Sequence, residues 1–177
     1  MKIELVPGKY FREGTYFSSR FGNEIEVSVE PDETVSDAYI EHCIRTVEGF
    51  SDEMLDCICA AAKRYCLAFI ALCKEAMGDD FSFEHAELPF VTEETPVREM
   101  CGLMQISGMI ISEPEDENRM DFTLTGSCEW EIEHGIEITF VDGKPVYLGT
   151  NDGVRPSDTD YYVTGEGRAW NYAIEGE

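Results

Sequence analysis

The thiol and imidazole chemistry open to this chain of 177 residues rests on seven cysteines and three histidines. A cysteine nucleophile needs a base within hydrogen-bond reach and access to solvent. Cys128 with His134, and Cys43 with His42 or His85, are the pairs the sequence offers. Adjacency along a chain does not deliver that geometry, so no catalytic residue is assigned. Cys57-x-Cys59 falls in a helical pattern, where a two-residue step turns the thiols in different directions. The sequence has no second close cysteine pair and no histidine pair at ligand spacing, so neither a metal nor a cofactor is expected.

Carboxylates are the more conspicuous resource. Thirty-seven acidic residues against 13 basic ones leave a formal net charge of -24. Such a surface repels phosphate backbones and anionic membranes, and it draws cationic partners toward it. Most of the acidic groups read as solvated: 113–117 looks like a turn, Asp158 and Asp160 lie in the tail, and no segment fits a twelve-residue calcium loop. Gly165-Glu166-Gly167 lacks the lysine and following helix of a phosphate loop. Glu129, Glu131 and Glu133 alternate with Cys128, Trp130 and Ile132. On a strand this places three glutamates on one exposed face and Trp130 on the buried one. The glutamate ladder is therefore the expected partner-binding surface, and Trp130 an expected core anchor.

The element that must organise the fold is a long helix over 50–78. Leu55, Cys59, Ala62, Cys66, Phe69, Cys73 and Ala76 recur at steps of four and three, beside a second stripe of Met54, Ile58, Ala61, Tyr65, Ala68 and Leu72. Its charged residues are confined to an arc of about 140°, which predicts a helix that other elements wrap. Ser51 suits the N-cap, with Asp52 and Glu53 at the positive end of the dipole, and Lys74 and Gly78 mark the stop. Ahead of it, Thr34 to Asp37 has capping-box form, and Ile40, Cys43, Ile44 and Val47 give an amphipathic helix over 35–48. The two are expected to form a helical hairpin.

Strand patterns flank the helices. The first 19 residues suggest a short strand or hairpin, and over 24–30 Ile25, Val27 and Val29 alternate with glutamates and Ser28. The stretch 79–95, interrupted by Pro89 and closed by Pro96, reads as a connection. A strand over 103–112 with an irregularity at Gly108 follows, then alternating runs over 120–133 with a bulge or bend at Gly126. The run 136–140 leads through Asp142-Gly143, a two-residue hairpin signal, into 144–149, and 161–164 suggests a final strand. The fold class is α+β: one domain, 1–177, with an antiparallel sheet that is a meander in its C-terminal half and the helical hairpin packed on one face.

With 43% hydrophobic residues the chain can bury a core and is not a disordered acidic tail. No basic, apolar leader opens the sequence, and the apolar run 66–73 is too short to span a bilayer. The cysteine count is odd, and Cys59, Cys66 and Cys73 repeat every seven residues beyond disulfide reach of one another. Free thiols in a reducing cytoplasm are expected.

Ala62-x-x-Tyr65-Cys66, preceded by Ser51-Asp52-Glu53-Met54, and Cys128-x-Trp130-Glu131-x-x-His134-Gly135-x-x-x-x-Phe140 together resemble an uncharacterised family of bacterial cytosolic domains. Gene context implicates some members of that family as immunity proteins that neutralise polymorphic toxins. The resemblance implies no catalytic residues. It implies a protein that neutralises a toxin, and the acidic composition independently suits an acidic protein-binding domain that masks a basic toxin, with Glu129, Glu131 and Glu133, the most coherent acidic patch, as the expected contact residues. A small cysteine- or metal-dependent hydrolase built on Cys128, His134 and nearby carboxylates is the alternative, and a structural or regulatory domain of a larger assembly is a third. The sequence leaves the oligomeric state open.

Overall fold

The computed structural model describes residues 3–30 and 35–174. Seven strands form one sheet in sequence order: β1 (Val6–Pro7), β2 (Arg12–Ser18), β3 (Asn23–Val29), β4 (Met104–Ile111), β5 (Phe122–Cys128), β6 (Ile136–Val141) and β7 (Lys144–Gly149). Helices α1 (Asp37–Glu48) and α2 (Asp52–Met77) stand between β3 and β4. Every neighbouring pair is antiparallel except β3 and β4, which run parallel. That exception follows from the two helices, which carry the chain across a face of the sheet before β4 begins. The α+β reading holds, and β4 to β7 are the expected meander. No helix among the described residues is long and apolar enough to cross a membrane.

Strand alternation places Ile25, Val27 and Val29, Met109 and Ile111, Phe122 and Leu124, and Ile136, Ile138 and Phe140 on the inner face. They share one core with the buried faces of both helices. Phe50, in the three-residue link 49–51 between the helices, stacks on Phe140 with ring centroids 5.3 Å apart, and Phe140 stacks on Phe122 at 4.8 Å. Burying side chains of this size stabilises a fold by about 1.5–3 kcal/mol each, so this core is its principal support.

Helix α2 has the caps its sequence announces: the Ser51 side chain accepts from Met54 N, and Gly78 closes the far end. Its burial is less extensive than the stripes suggest. Ile58, Cys59, Ala61, Ala62, Tyr65, Cys66 and Ile70 are buried, whereas Cys73 is only partly covered and Leu72 is exposed. The last two turns project past the elements that α2 packs on. Helix α1 starts at Asp37 with Ser36 as its N-cap, accepting from Tyr39 N; Thr34, the expected cap, lies outside the described residues.

Register shifts and close backbone approaches shape the meander, one shift lying in the β6–β7 pair between Thr139 and Phe140. The β4–β5 register shifts between Ile106 and Gly108, at the glycine where a bulge is expected. Gly126 sits beside that shift, paired with Ile106 of β4 and Ile136 of β6. A Cβ at Gly126 would come within 2.1 Å of Gln105 O, and one at Gly135 within 2.3 Å of Gly126 O, so larger residues would push β4 and β6 off β5. Asp142 and Gly143 both have positive φ, 51° and 69°, the two-residue hairpin turn matched to strand twist.

Two strand expectations fail. Residues 129–135 leave the sheet, because β5 ends at Cys128. The stretch 160–164 is a π-helical turn, Asp160–Thr164, not a strand, and it buries Tyr162. The segment from Thr150 onward folds back over the outer face of β5–β7. Val154 O accepts from the hydroxyls of Thr123 and Thr139, and Tyr162 packs beside Tyr147. This covers half of the outer face and leaves the other half, on β1–β4, open.

Candidate protein interface

The open half is built by simple alternation. With Ile25, Val27 and Val29 turned inward, Glu24, Glu26 and Ser28 must face out, and the register aligns them with Phe17, Thr15 and Glu13 of β2. Val6 of β1 pairs with Glu13, and Gly108 of β4 lies opposite Glu26. The result is an exposed patch in which Phe17, 62% exposed, stands across from Glu24 and next to the Thr15–Glu26 pair. Among the described residues no cation is paired with Glu13, Glu24 or Glu26. Three carboxylates on the same strand face as an exposed aromatic ring present both an electrostatic field and an apolar anchor.

The seam between the open and covered halves is a cavity of about 180 Å³ lined by Phe11, Glu30, Ile110, Thr123, Glu137 and Arg155, among others. Arg155 bridges to Glu30 at 3.2 Å. Glu137 is fully buried and accepts from Gly153 N at 2.8 Å and Val154 N at 2.6 Å. Burial outweighs these two hydrogen bonds and pushes its carboxyl up to about 7.

The glutamates expected to form a ladder do not. Glu129 and Glu133 are exposed, but Glu131 is buried and Ile132, expected inside, is 79% exposed. The alternation 128–132 is inverted after Trp130 because the chain turns there instead of extending. Glu131 ties that turn together: its carboxylate accepts from Glu133 N and His134 N and pairs with His134 Nδ1 at 3.1 Å. Replacing Glu131 by alanine should therefore cost about 2–3 kcal/mol, since two backbone N–H groups lose their acceptor. Alanine at Glu129 or Glu133 should stay within about 0.5 kcal/mol. Urea unfolding of the three variants checks this, and equal costs would contradict the turn assignment.

The catalytic pairs are not assembled. Cys128 is buried, donates to Glu131 O at 3.4 Å, and has its thiol pushed up to about 11 by burial, while His134 is turned to the Glu131 carboxylate. Cys43 is buried, with its thiol pushed up to about 12 by burial. His85 Nδ1 contacts Asp80 O at 3.2 Å, and no hydrogen bond joins Cys43 to a histidine among the described residues. Glu131, Glu133 and His134 do bring one potential ligand atom each within 4.8 Å of one another. An ion there would compete with the N–H donors that already occupy Glu131.

The interface on β2–β3 was present in the sequence as the glutamate alternation over 24–30. What marks it as a surface, and not merely the wet side of a strand, is the exposed Phe17 across from Glu24, and that register depends on the fold.

No curated protein and no solved structure matches this chain. A family model described as a domain of unknown function, DUF6985, matches residues 2–155, a span that contains all seven strands and both helices. By that match over most of its length, the chain belongs to the DUF6985 family.

Proposed function

We propose that this protein is an acidic protein-binding domain of the bacterial cytoplasm, an immunity protein that docks on a basic toxin and masks it. The observation that carries this reading is the open outer face of β1–β4, where Glu13, Glu24 and Glu26 share one face with the exposed Phe17, Glu24 directly across from it, on a chain of net charge -24. An unpaired acidic field steers a cationic partner into encounter, and a central aromatic ring supplies short-range attachment once the surfaces meet. Glu129 and Glu133, exposed beyond the end of β5, add to the long-range field. The resemblance of the 128–140 segment to domains implicated in toxin immunity points to the same partner class.

The test is to co-express the protein with the product of the neighbouring reading frame and measure association by surface plasmon resonance. The on-rate should fall about tenfold or more between low salt and about 1 M salt, where screening acts within a few ångströms. The double variant Glu24→Lys/Glu26→Lys should slow association about 10-fold to 100-fold, and Phe17→Ala should act on the off-rate instead. A salt-insensitive on-rate, or wild-type binding by the double variant, would refute docking through this face.

A further inference from the structure

A cavity of about 460 Å³ opens between the first half of α2, the 3-10 turn Val97–Gly102 and the start of β4, with Leu55, Ile58, Cys59, Arg98, Cys101 and Met104 among its lining residues. Two of these are thiols from segments 42 residues apart, and their sulfur atoms lie 2.8 Å from each other. That is within about 1 Å of a disulfide bond length of about 2.05 Å. They differ in exposure: Cys59 is fully buried on α2, and Cys101 is exposed on the 3-10 turn. Cys57, two residues from Cys59, is exposed and has no sulfur contact of this kind among the described residues.

We propose that Cys59 and Cys101 form a two-thiol redox site that reacts with a small peroxide and closes to a disulfide pinning the 3-10 turn to α2. Cys101 is the thiol that reacts first. It is the exposed thiol of the two, open to a small peroxide from solvent, whereas Cys59 is buried behind it. The thiolate attacks one peroxide oxygen, the O–O bond breaks, and the departing hydroxide takes up a proton to become water. Cys101 is then a sulfenic acid. Cys59 attacks its sulfur, the S–S bond forms, and the sulfenic hydroxyl leaves with the Cys59 proton as a second water. The two thiols give up two electrons and two protons in total, and one peroxide becomes two waters. Burial, followed by the contact with Cys101, pushes the Cys59 thiol up to about 12, so it stays protonated and unreactive until the sulfenic acid lies against it.

Reduced full-length protein is titrated with hydrogen peroxide, alkylated and mapped by mass spectrometry. The expected product is lighter by two hydrogens, contains a Cys59–Cys101 cross-linked peptide and reverts with dithiothreitol. Cys101→Ser should abolish the cross-link, and Cys57→Ser should leave it intact. Closing a loop of this length should raise the melting temperature by about 10 °C. Sulfinic or sulfonic acid at Cys101 without a cross-link, or a covalent dimer in place of the intrachain bond, would overturn the proposal. A cross-link that leaves the melting temperature unmoved would overturn the pinning of the turn.

Discussion

Alanine in place of Trp130 is expected to destabilise the protein by about 3–5 kcal/mol, among the largest effects of any single substitution in this fold. Trp130 is 1% exposed and meets Tyr65 of α2 edge-on at 5.7 Å. Tyr65 in turn stacks on Tyr172 at 5.0 Å and contacts the Thr150 hydroxyl at 3.0 Å. Arg64 donates to Tyr172 O from both Nε and Nη2. The indole therefore sits where the 129–135 turn, α2 and the C-terminal segment meet, and its loss leaves a cavity that none of the three can close alone. At about 2–4 °C per kcal/mol for a chain of this size, the melting temperature should fall by about 10 °C or more.

Phenylalanine at the same position separates packing from polarity. Among the described residues the buried Nε1 of Trp130 has no protein hydrogen-bond partner, and such a donor costs about 1–3 kcal/mol. Trp130→Phe gives up some packing volume but removes the orphaned donor, so it should lie within about 1 kcal/mol of wild type. Thermal unfolding of both variants decides the matter. An alanine variant that loses less than about 1 kcal/mol would show that the ring is not an anchor.

The second large effect is a pH dependence that originates at Glu137. Its carboxyl titrates near 4.5 in the unfolded chain and is raised to about 7 in the fold, chiefly by burial. A group whose folded value is raised binds its proton more tightly in the native state. Its favourable contribution is present below about pH 4.5 and is lost as pH rises through about 7. The full difference amounts to up to about 3 kcal/mol. Carboxylates held low by partners have the opposite slope. Glu48 is one: burial opposes the shift, but hydrogen bonds from Ser18 and Ser19 lower it overall, so its contribution is lost on acidification.

Glu137→Gln isolates the term. The amide cannot ionise, so the variant should lack the decline between about pH 4.5 and 7 that wild type shows. It should also be weaker at low pH, because one of the two N–H groups of Gly153 and Val154 then faces an amide N–H instead of an acceptor. Urea midpoints across that range give the comparison, and parallel profiles for the two proteins would remove Glu137 as the source. Because Glu137 holds down the segment that covers β5–β7, the same measurement reports on how firmly the covered half of the sheet stays covered.

Local pattern carried far into this fold. The alternation of Ile25, Val27 and Val29, the span and caps of α2, the irregularity at Gly108 and the Asp142-Gly143 turn were all legible, because each is decided by the backbone geometry of a few consecutive residues. The stretch 128–133 shows where that stops. Its alternation is as regular as that of β3, yet Trp130 and Glu131 are both buried, which only a turn permits. A period of two says that neighbours could face opposite ways, and a tight turn stabilised by Glu131 overrides it. The parallel pairing of β3 with β4, the covering of half the outer face by residues beyond Thr150, and the meeting of Cys59 with Cys101 all join segments distant in the chain. Their stability comes from surface buried between those segments, a quantity that no window of sequence contains. The sequence by itself thus determined both helices, β3 and the hairpin of β6 and β7, and that the chain is acidic, whereas the tertiary structure alone decided where β5 ends, how residues beyond Thr150 fold and which glutamates remain free on an open face.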